Sequence, residues 1–542
     1  MGAWTLPAAT IDTTGGTTVL VNTPEDRFVG NGTLQVSSTV WLDEDSSRTA
    51  TEFAMTGGLI TIDGGATLVN GGWQKGVWTE NLAGMHVDGV FDIWDGNPVR
   101  IDALTGSGSI AKAHGGNSPT LLTVGVNNGG GTFGGTIANA SGQISLTKAG
   151  GGTQILTGAN TYSGATTVDN GTLQVSGQPY FNVGRTTSVA SGAVFELFNS
   201  NNDFTTLMPV SSITGSGTFR LSGNSTINQV DNGSVGTRLT LAMQAGGVID
   251  LQDTSRLTNG GWQVLDWTGN MASMNIAGGA TLDIWDGTPI KIDALTGTGT
   301  VDKVHGGNSP SSLILGVANG DGTFGGTIKN TGGQVALTKQ GSGTQILSGN
   351  NSYGGTTSVE AGTLLIDGVH SAGGLITVLS GATLGGSGTV GDVEIADGGT
   401  LAPGNSAGQL TVKNLTLNPS SVLNIELGAP TLMPDTGSDF VTVVGMLTLH
   451  GTLNIQAIPG FGTPVAGNSW LIMTVAETIA DNGIVLGSRP ALPGGMTFAL
   501  DYSSGSDVLL TVVPEAGTAG LVGLGLLFLR RMKRNRHPAD YS

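Results

Sequence analysis

Three tryptophans recur in two copies along the chain, Trp73, Trp78 and Trp94 and then Trp262, Trp267 and Trp285. In each copy the last of them precedes an aspartate, Asp95 or Asp286. A flat aromatic face beside a carboxylate can stack on a sugar ring while the carboxylate accepts hydrogen bonds from hydroxyls. Trp73, Trp94, Asp95, Trp262, Trp285 and Asp286 are therefore the candidate glycan contacts. The competing reading is that the indoles fill a wide coil or a protruding loop, because a duplication copies packing residues as faithfully as binding ones.

The other residue types that carry chemistry form no constellation. The segment Lys112-x-His114-Gly-Gly-Asn117-Ser118-Pro119 returns as Lys303-x-His305-Gly-Gly-Asn308-Ser309-Pro310. A lone histidine among glycines lacks the further ligands of a zinc site, and no acid stands near it in sequence to orient it as a base. It reads as a turn. Asp43-Glu44-Asp45 lacks the glycine-rich series of a calcium-binding β-roll and reads as a solvated loop. A polysaccharide lyase or hydrolase, the enzymatic alternative on a β-helix, needs carboxylates grouped on one face. Apart from Asp92/Asp95 and Asp283/Asp286 the acids are scattered. No catalytic, metal or cofactor-binding residue is assigned.

The elements that would position these residues follow from the repeats. Ile93-Trp94-Asp95-Gly96 recurs at Ile284-Trp285-Asp286-Gly287, an offset of 191 that persists to Gly171 and Gly362. The copied blocks run from about 70 to 177 and from 259 to 368. Inside them, runs of alternating Thr, Val, Leu and Ile are punctuated by Gly-Gly, Asn-Gly and Ser-Gly, which reads as short strands between tight turns. Repeats at two length scales without helical periodicity predict an all-β, elongated parallel β-helix with coils of roughly 20–25 residues. The inward positions predicted are Ile155, Val168, Leu173 and Val175, and in the second copy Ile346, Val359, Leu364 and Ile366; Gln154 and Thr172 are expected to face solvent. The β-helix is expected over residues 1–412. A C-terminal β cap, where prolines break the rhythm, is expected over 413–512 to protect the last coil's open edge.

The segments LTKAGGGTQILTGANTYSGATTVDNGTLQVS, Leu146 to Ser176, and LTKQGSGTQILSGNNSYGGTTSVEAGTLLID, Leu337 to Asp367, resemble the autotransporter-associated β-strand repeat. That resemblance implies a right-handed parallel β-helix on a bacterial surface. The stretch from Gly385 to Val412 is similar to the passenger region that precedes the C-terminal end in the same proteins. Autotransporters end in a translocating barrel, whereas no barrel-length run of amphipathic strands is present here.

Residues 513–536 carry a different pattern. Val513-Pro514-Glu515-Ala516 precedes an apolar run from Ala519 to Leu529, a short hydrophobic helix by expectation, and then Arg530, Arg531, Lys533, Arg534 and Arg536. The run falls short of the roughly 20 residues that span a bilayer, and the cations would remain on the cytoplasmic side. This order resembles the PEP-CTERM sorting signal, with Pro514-Glu515-Ala516 where the pattern usually reads Pro-Glu-Pro. The resemblance implies an exosortase-type processing enzyme as partner, transient inner-membrane contact, and delivery to the surface or extracellular matrix of a bacterium with an outer membrane.

Composition agrees with an extracellular setting. The formal net charge is −18, which argues against a nucleic-acid partner, and cysteine is absent. Charged residues make up 11% of the chain, against about 25% in ordinary globular domains. Such a surface is neutral and hydrogen-bonding. No signal peptide stands at Met1, since the first cation is Arg27, so the true start is expected upstream. Together these features predict a surface-sorted structural or adhesive β-solenoid, with extracellular polysaccharide as its candidate ligand.

Overall fold

The computed structural model describes residues 10–20, 26–42, 50–71, 76–94, 97–114, 116, 119–181, 184–203, 210–228, 236–260, 263–285, 288–305, 307, 310–370, 373–432 and 437–515. All regular elements among them are strands. The chain divides into two compact units, residues 1–364 with 368–374, and residues 365–367 with 375–542.

The first unit is a parallel β-helix. On one face Gly131–Phe133, Thr153–Leu156, Thr172–Ser176, Val194–Phe198, Thr218–Ser222, Val248–Leu251 and Ser273–Ile276 pair in succession, each strand one coil beyond the last. On another, Thr120–Val124, Ile144–Lys148, Thr166–Val168, Thr186–Val189 and Ser211–Gly215 do the same. The spacing between adjacent coils varies: Gln174 to Glu196 spans 22 residues, within the expected coil length, and Arg220 to Asp250 spans 30, beyond it. Parallel strands joined by turns alone can stack this way because each coil pairs with the coils on either side.

The core is a set of ladders. Leu173, Phe195, Phe219, Ile249 and Met274 occupy one inward position on successive strands, and all are fully buried. Val168, Val175, Val359, Leu364 and Ile366 are also buried, as the alternation predicts. Gly171 and Gly362 both adopt φ 63°, where a side chain is strained. A Cβ there would also lie 2.4 Å from the carbonyl oxygen of Gly152 or Gly341 on the neighbouring coil.

One strand of each copy runs opposite to expectation. Gln154 and Gln345 point inward and are buried, while Ile155 and Ile346 lie on the outer, half-exposed face. The cause is the partner strand: Gln154 sits opposite Gly131, and Gln345 opposite Gly322. The missing side chain leaves room for an amide. Gln345 accepts from the Leu295 amide at 3.0 Å and donates to the Leu295 carbonyl at 2.9 Å; Gln154 does the same with Leu104 at 3.0 and 2.8 Å. Each glutamine so stitches coils that are 50 residues apart. Gln345→Leu should destabilise its coil by about 1–3 kcal/mol, because both Leu295 groups would be left buried and unpaired. Hydrogen exchange would show the Leu295 amide losing protection, whereas Ile346→Thr on the outer face should leave it unchanged.

The second unit continues the parallel pattern. Thr400–Pro403, Val422–Leu427, Thr452–Ala457 and Val485–Leu486 pair in order, as do Gln409–Val412, Phe440–Val443 and Ser469–Val475. Beyond residue 412 the pairing therefore remains parallel for several strands. The direction changes at Asp507–Pro514, which is antiparallel both to Ser469–Val475 and to Met496–Asp501. This hairpin pairs with the edge of Ser469–Val475 that would otherwise be open, and its Phe498 packs against Trp470 with ring centroids 5.9 Å apart.

Candidate functional site

Trp73, Asp95, Trp262 and Asp286 lie outside the described residues. Trp78 and Trp267 are fully buried packing residues. Trp94 and Trp285 are half-buried, and around each the fold assembles a cluster that sequence adjacency does not show.

Asp92 ends the strand Val90–Asp92, which pairs with Ser109–Lys112 one coil on. Its Oδ1 accepts from the backbone amides of Trp94 and Ala113, both at 3.0 Å. Its Oδ2 accepts a hydrogen bond from His114 Nδ1 at 2.5 Å, 22 residues away in sequence. The His114 ring stacks on Trp94, with centroids 4.8 Å apart and planes at 27°. Trp41 closes the cluster edge-on, 6.0 Å from Trp94 and 5.6 Å from His114.

The second copy repeats the core of this arrangement. Asp283 accepts from Val304 N at 3.1 Å and from His305 Nδ1 at 2.9 Å, and His305 stacks on Trp285 at 4.5 Å and 24°. Here the added partner is Arg256, whose guanidinium bonds Asp283 Oδ2 at 2.5 Å. One copy is thus an aromatic cluster, and the other carries a cation on the same carboxylate.

A buried carboxylate binds each imidazole at Nδ1, and each ring is about half exposed. Such a pair can orient a general base. It can equally support a metal ligand, yet among the described residues no group of three or more His, Asp or Glu side chains is placed to hold a metal ion. The arrangement offers a flat aromatic surface with one hydrogen-bonding nitrogen. Sequence reasoning took His114 and His305 as lone turn residues because the orienting acid stands a full coil earlier. The available signal was the joint recurrence of Asp92 and His114 as Asp283 and His305 at the same offset.

The residues of the strongest repeat pattern serve the coil itself. Lys148 and Lys339 are buried and fold back under their own turns. Lys148 Nζ donates to the carbonyls of Ala149, Gly150 and Asn170, and Lys339 Nζ to those of Gln340, Gly341 and Ala361. Burial pushes both amines below the usual lysine range. Tyr162 and Tyr353 lie inside and bond Thr166 and Thr357 at 2.9 and 2.8 Å. The next coil lays a polar side chain over each phenol ring: Arg185 over Tyr162 at 4.3 Å and His370 over Tyr353 at 4.0 Å.

Residues 146–175 and 337–366 match the Passenger-associated-transport-repeat family. The buried lysine, glutamine and tyrosine of each copy fall inside these repeats. The chain is also similar to the adhesin BmaC autotransporter of Brucella suis biovar 1, with 30% identity over 290 residues, which cover 47% of this chain and 8% of that protein. It is 31% identical over 189 residues to an extracellular serine protease of Serratia marcescens, covering 33% of this chain and 17% of that one. The chain therefore spans a small part of the length of either relative. In both passenger-associated repeats, the lysine and the glutamine satisfy backbone groups of their own and neighbouring coils, while the tyrosine bonds a threonine hydroxyl.

At the other end, Val513 and Pro514 finish the strand Asp507–Pro514, and Glu515 donates its amide to Gly495 O at 2.7 Å. Pro514 and Glu515 are exposed. The apolar run and Arg530, Arg531, Lys533 and Arg534 lie outside the described residues.

Proposed function

We propose that this chain is a surface-displayed or secreted β-helical protein with a structural or adhesive role, built like an autotransporter passenger. The observation that carries this reading is the use of the two passenger-associated repeats as coil-closing units within a parallel stack. The adhesin among the similar proteins supports the adhesive role. The scattered acids support a non-enzymatic one, since Asp92, Asp102, Asp283 and Asp293 each accept from backbone amides and hold turns in place. The half-exposed stacks at Trp94 and Trp285 are the surfaces we assign to extracellular polysaccharide.

Delivery is assigned to residues 513–536 as a sorting segment, processed by an exosortase-type enzyme after transient contact with the inner membrane. Its first residues are exposed at the end of the last described strand, within reach of a processing enzyme. Fractionation of native cells with mass-spectrometric mapping of the C-terminal peptide tests this. A surface or medium form ending near Pro514 is expected. An intact chain ending at Ser542 in the cytoplasm would overturn both the sorting and the surface role.

A further inference from the structure

The second unit contains a cleft of about 710 Å³ that neither the tryptophan clusters nor the repeats involve. Its size falls in the range of roughly 300–1,000 Å³ typical of small-ligand sites. The floor is the outer face of Val422–Leu427 and Thr452–Ala457, where Asn424 stands opposite Asn454 and Glu426 opposite Gln456. The segment Ser488-Arg489-Pro490 forms one wall.

The polar groups of the floor are fixed by one another and are half used. Asn454 Nδ2 donates to Asn424 Oδ1 at 3.1 Å, and Asn454 Oδ1 accepts from the Ser488 amide at 2.9 Å. Gln456 Nε2 donates to Glu426 Oε1 at 3.3 Å. These bonds leave the Asn424 amide as a donor and the Gln456 carbonyl as an acceptor. Arg489 is held at the rim by the Gly487 carbonyl, at 3.1 Å from Nη1, so Nε and Nη2 are presented from an anchored head. Asp439 also lines the cleft, but its two oxygens accept from the amides of Gly408 and Glu426 at 3.0 and 2.8 Å. It holds the floor and is not placed to transfer protons.

We propose that this cleft binds an uncharged glycan segment, whose hydroxyls donate to Gln456 Oε1 and accept from Asn424 Nδ2 and the Arg489 guanidinium. A hydroxyl is both donor and acceptor, so neighbouring hydroxyls of one sugar satisfy donors and acceptors that sit side by side. Glu426 and the chain's net charge of −18 disfavour an anionic sugar. The site differs from the tryptophan stacks, and binding by the purified chain does not depend on where the cell sends it.

The test uses the full chain, in EDTA, against neutral cello-, malto- and xylo-oligosaccharides and against oligogalacturonate, with affinity read by calorimetry. At least one neutral series should bind. Asn424→Asp keeps the acceptor for Asn454 and replaces the free donor with a charge, so affinity should fall about tenfold or more. Arg489→Gln should weaken binding several-fold. Both positions are exposed, and circular dichroism checks that the variants fold. Absence of binding by every neutral series, a preference for oligogalacturonate, or neutral binding that both variants leave unchanged while Trp94→Ala or Trp285→Ala abolishes it, would each overturn the proposal.

Discussion

Replacing Phe219 with alanine should cost about 3–5 kcal/mol, the range for a buried phenylalanine in a core that cannot collapse around the gap. Phe219 is fully buried, lies flat against Phe195 at 5.9 Å and 13°, and meets Phe181 edge-on at 6.5 Å. The backbone on either side is fixed by parallel pairing to Val194–Phe198 and Val248–Leu251, so the coils cannot move together to refill the space. Part of the loss is the ring pair itself, worth about 0.5–1.5 kcal/mol beyond burial, which a double-mutant cycle with Phe195→Leu would isolate. Because each coil touches mainly its neighbours, the damage should stay local. Hydrogen exchange should show lost protection in those three strands and none in Val422–Leu427 of the second unit. Thr218→Ala, on a half-exposed outward position of the same strand, serves as the control. A uniform loss across both units would contradict the coil-by-coil picture.

The ladders were legible in the sequence wherever alternation was unambiguous. Thr-Leu-Gln-Val at Thr172–Val175 has a single way to face inward, and Leu173 and Val175 take it. Thr-Gln-Ile-Leu at Thr153–Leu156 has two adjacent apolar residues, and only one can point to the core. Hydropathy favoured Ile155, but the strand obeys the glycine at position 131 on the previous coil, which is 23 residues away. Register across coils decided the face, and a single strand's pattern does not contain it.

The same distance hid the candidate site. Trp94 and Trp285 were visible as recurrent aromatics, and Trp78 and Trp267 proved to be packing, as a copied core predicts. The Asp92–His114 and Asp283–His305 pairs were not visible, because a β-helix puts in contact residues one coil apart, whereas motif reading compares residues a few positions apart. In a solenoid the informative spacing is the coil length. Scanning for acid and histidine pairs near 22 residues, repeated at the duplication offset, would have found both.

Raising the pH from 5 to 8 should destabilise the second unit, and Asp439 is the reason. Its side chain is 2% exposed. Burial pushes its pKa from 3.8 up to about 7, with the Glu426 charge adding to the rise and the amides of Glu426 and Gly408 opposing it. Between these values the folded chain keeps a proton that the unfolded chain releases. The contribution to stability is therefore complete below pH 3.8 and is lost as the pH rises through about 7. The full shift corresponds to at most roughly 4 kcal/mol. His370 gives the first unit a dependence of the opposite sign. Burial holds its pKa below 6.5, against an opposing backbone contact at Asn351, so its contribution is present above pH 6.5 and lost as the pH falls through the lowered value. Exchange protection of Val441 and Ile455 should thus be greater at pH 5 than at pH 8, while that around Tyr353 should change the other way. Asp439→Asn cannot ionise and retains a carbonyl for one of the two amides, so it should flatten the dependence of the second unit and leave the first untouched. If Asp439→Asn keeps the wild-type slope, the proton is held elsewhere, and the account of Asp439 as a floor residue protonated in the fold is wrong.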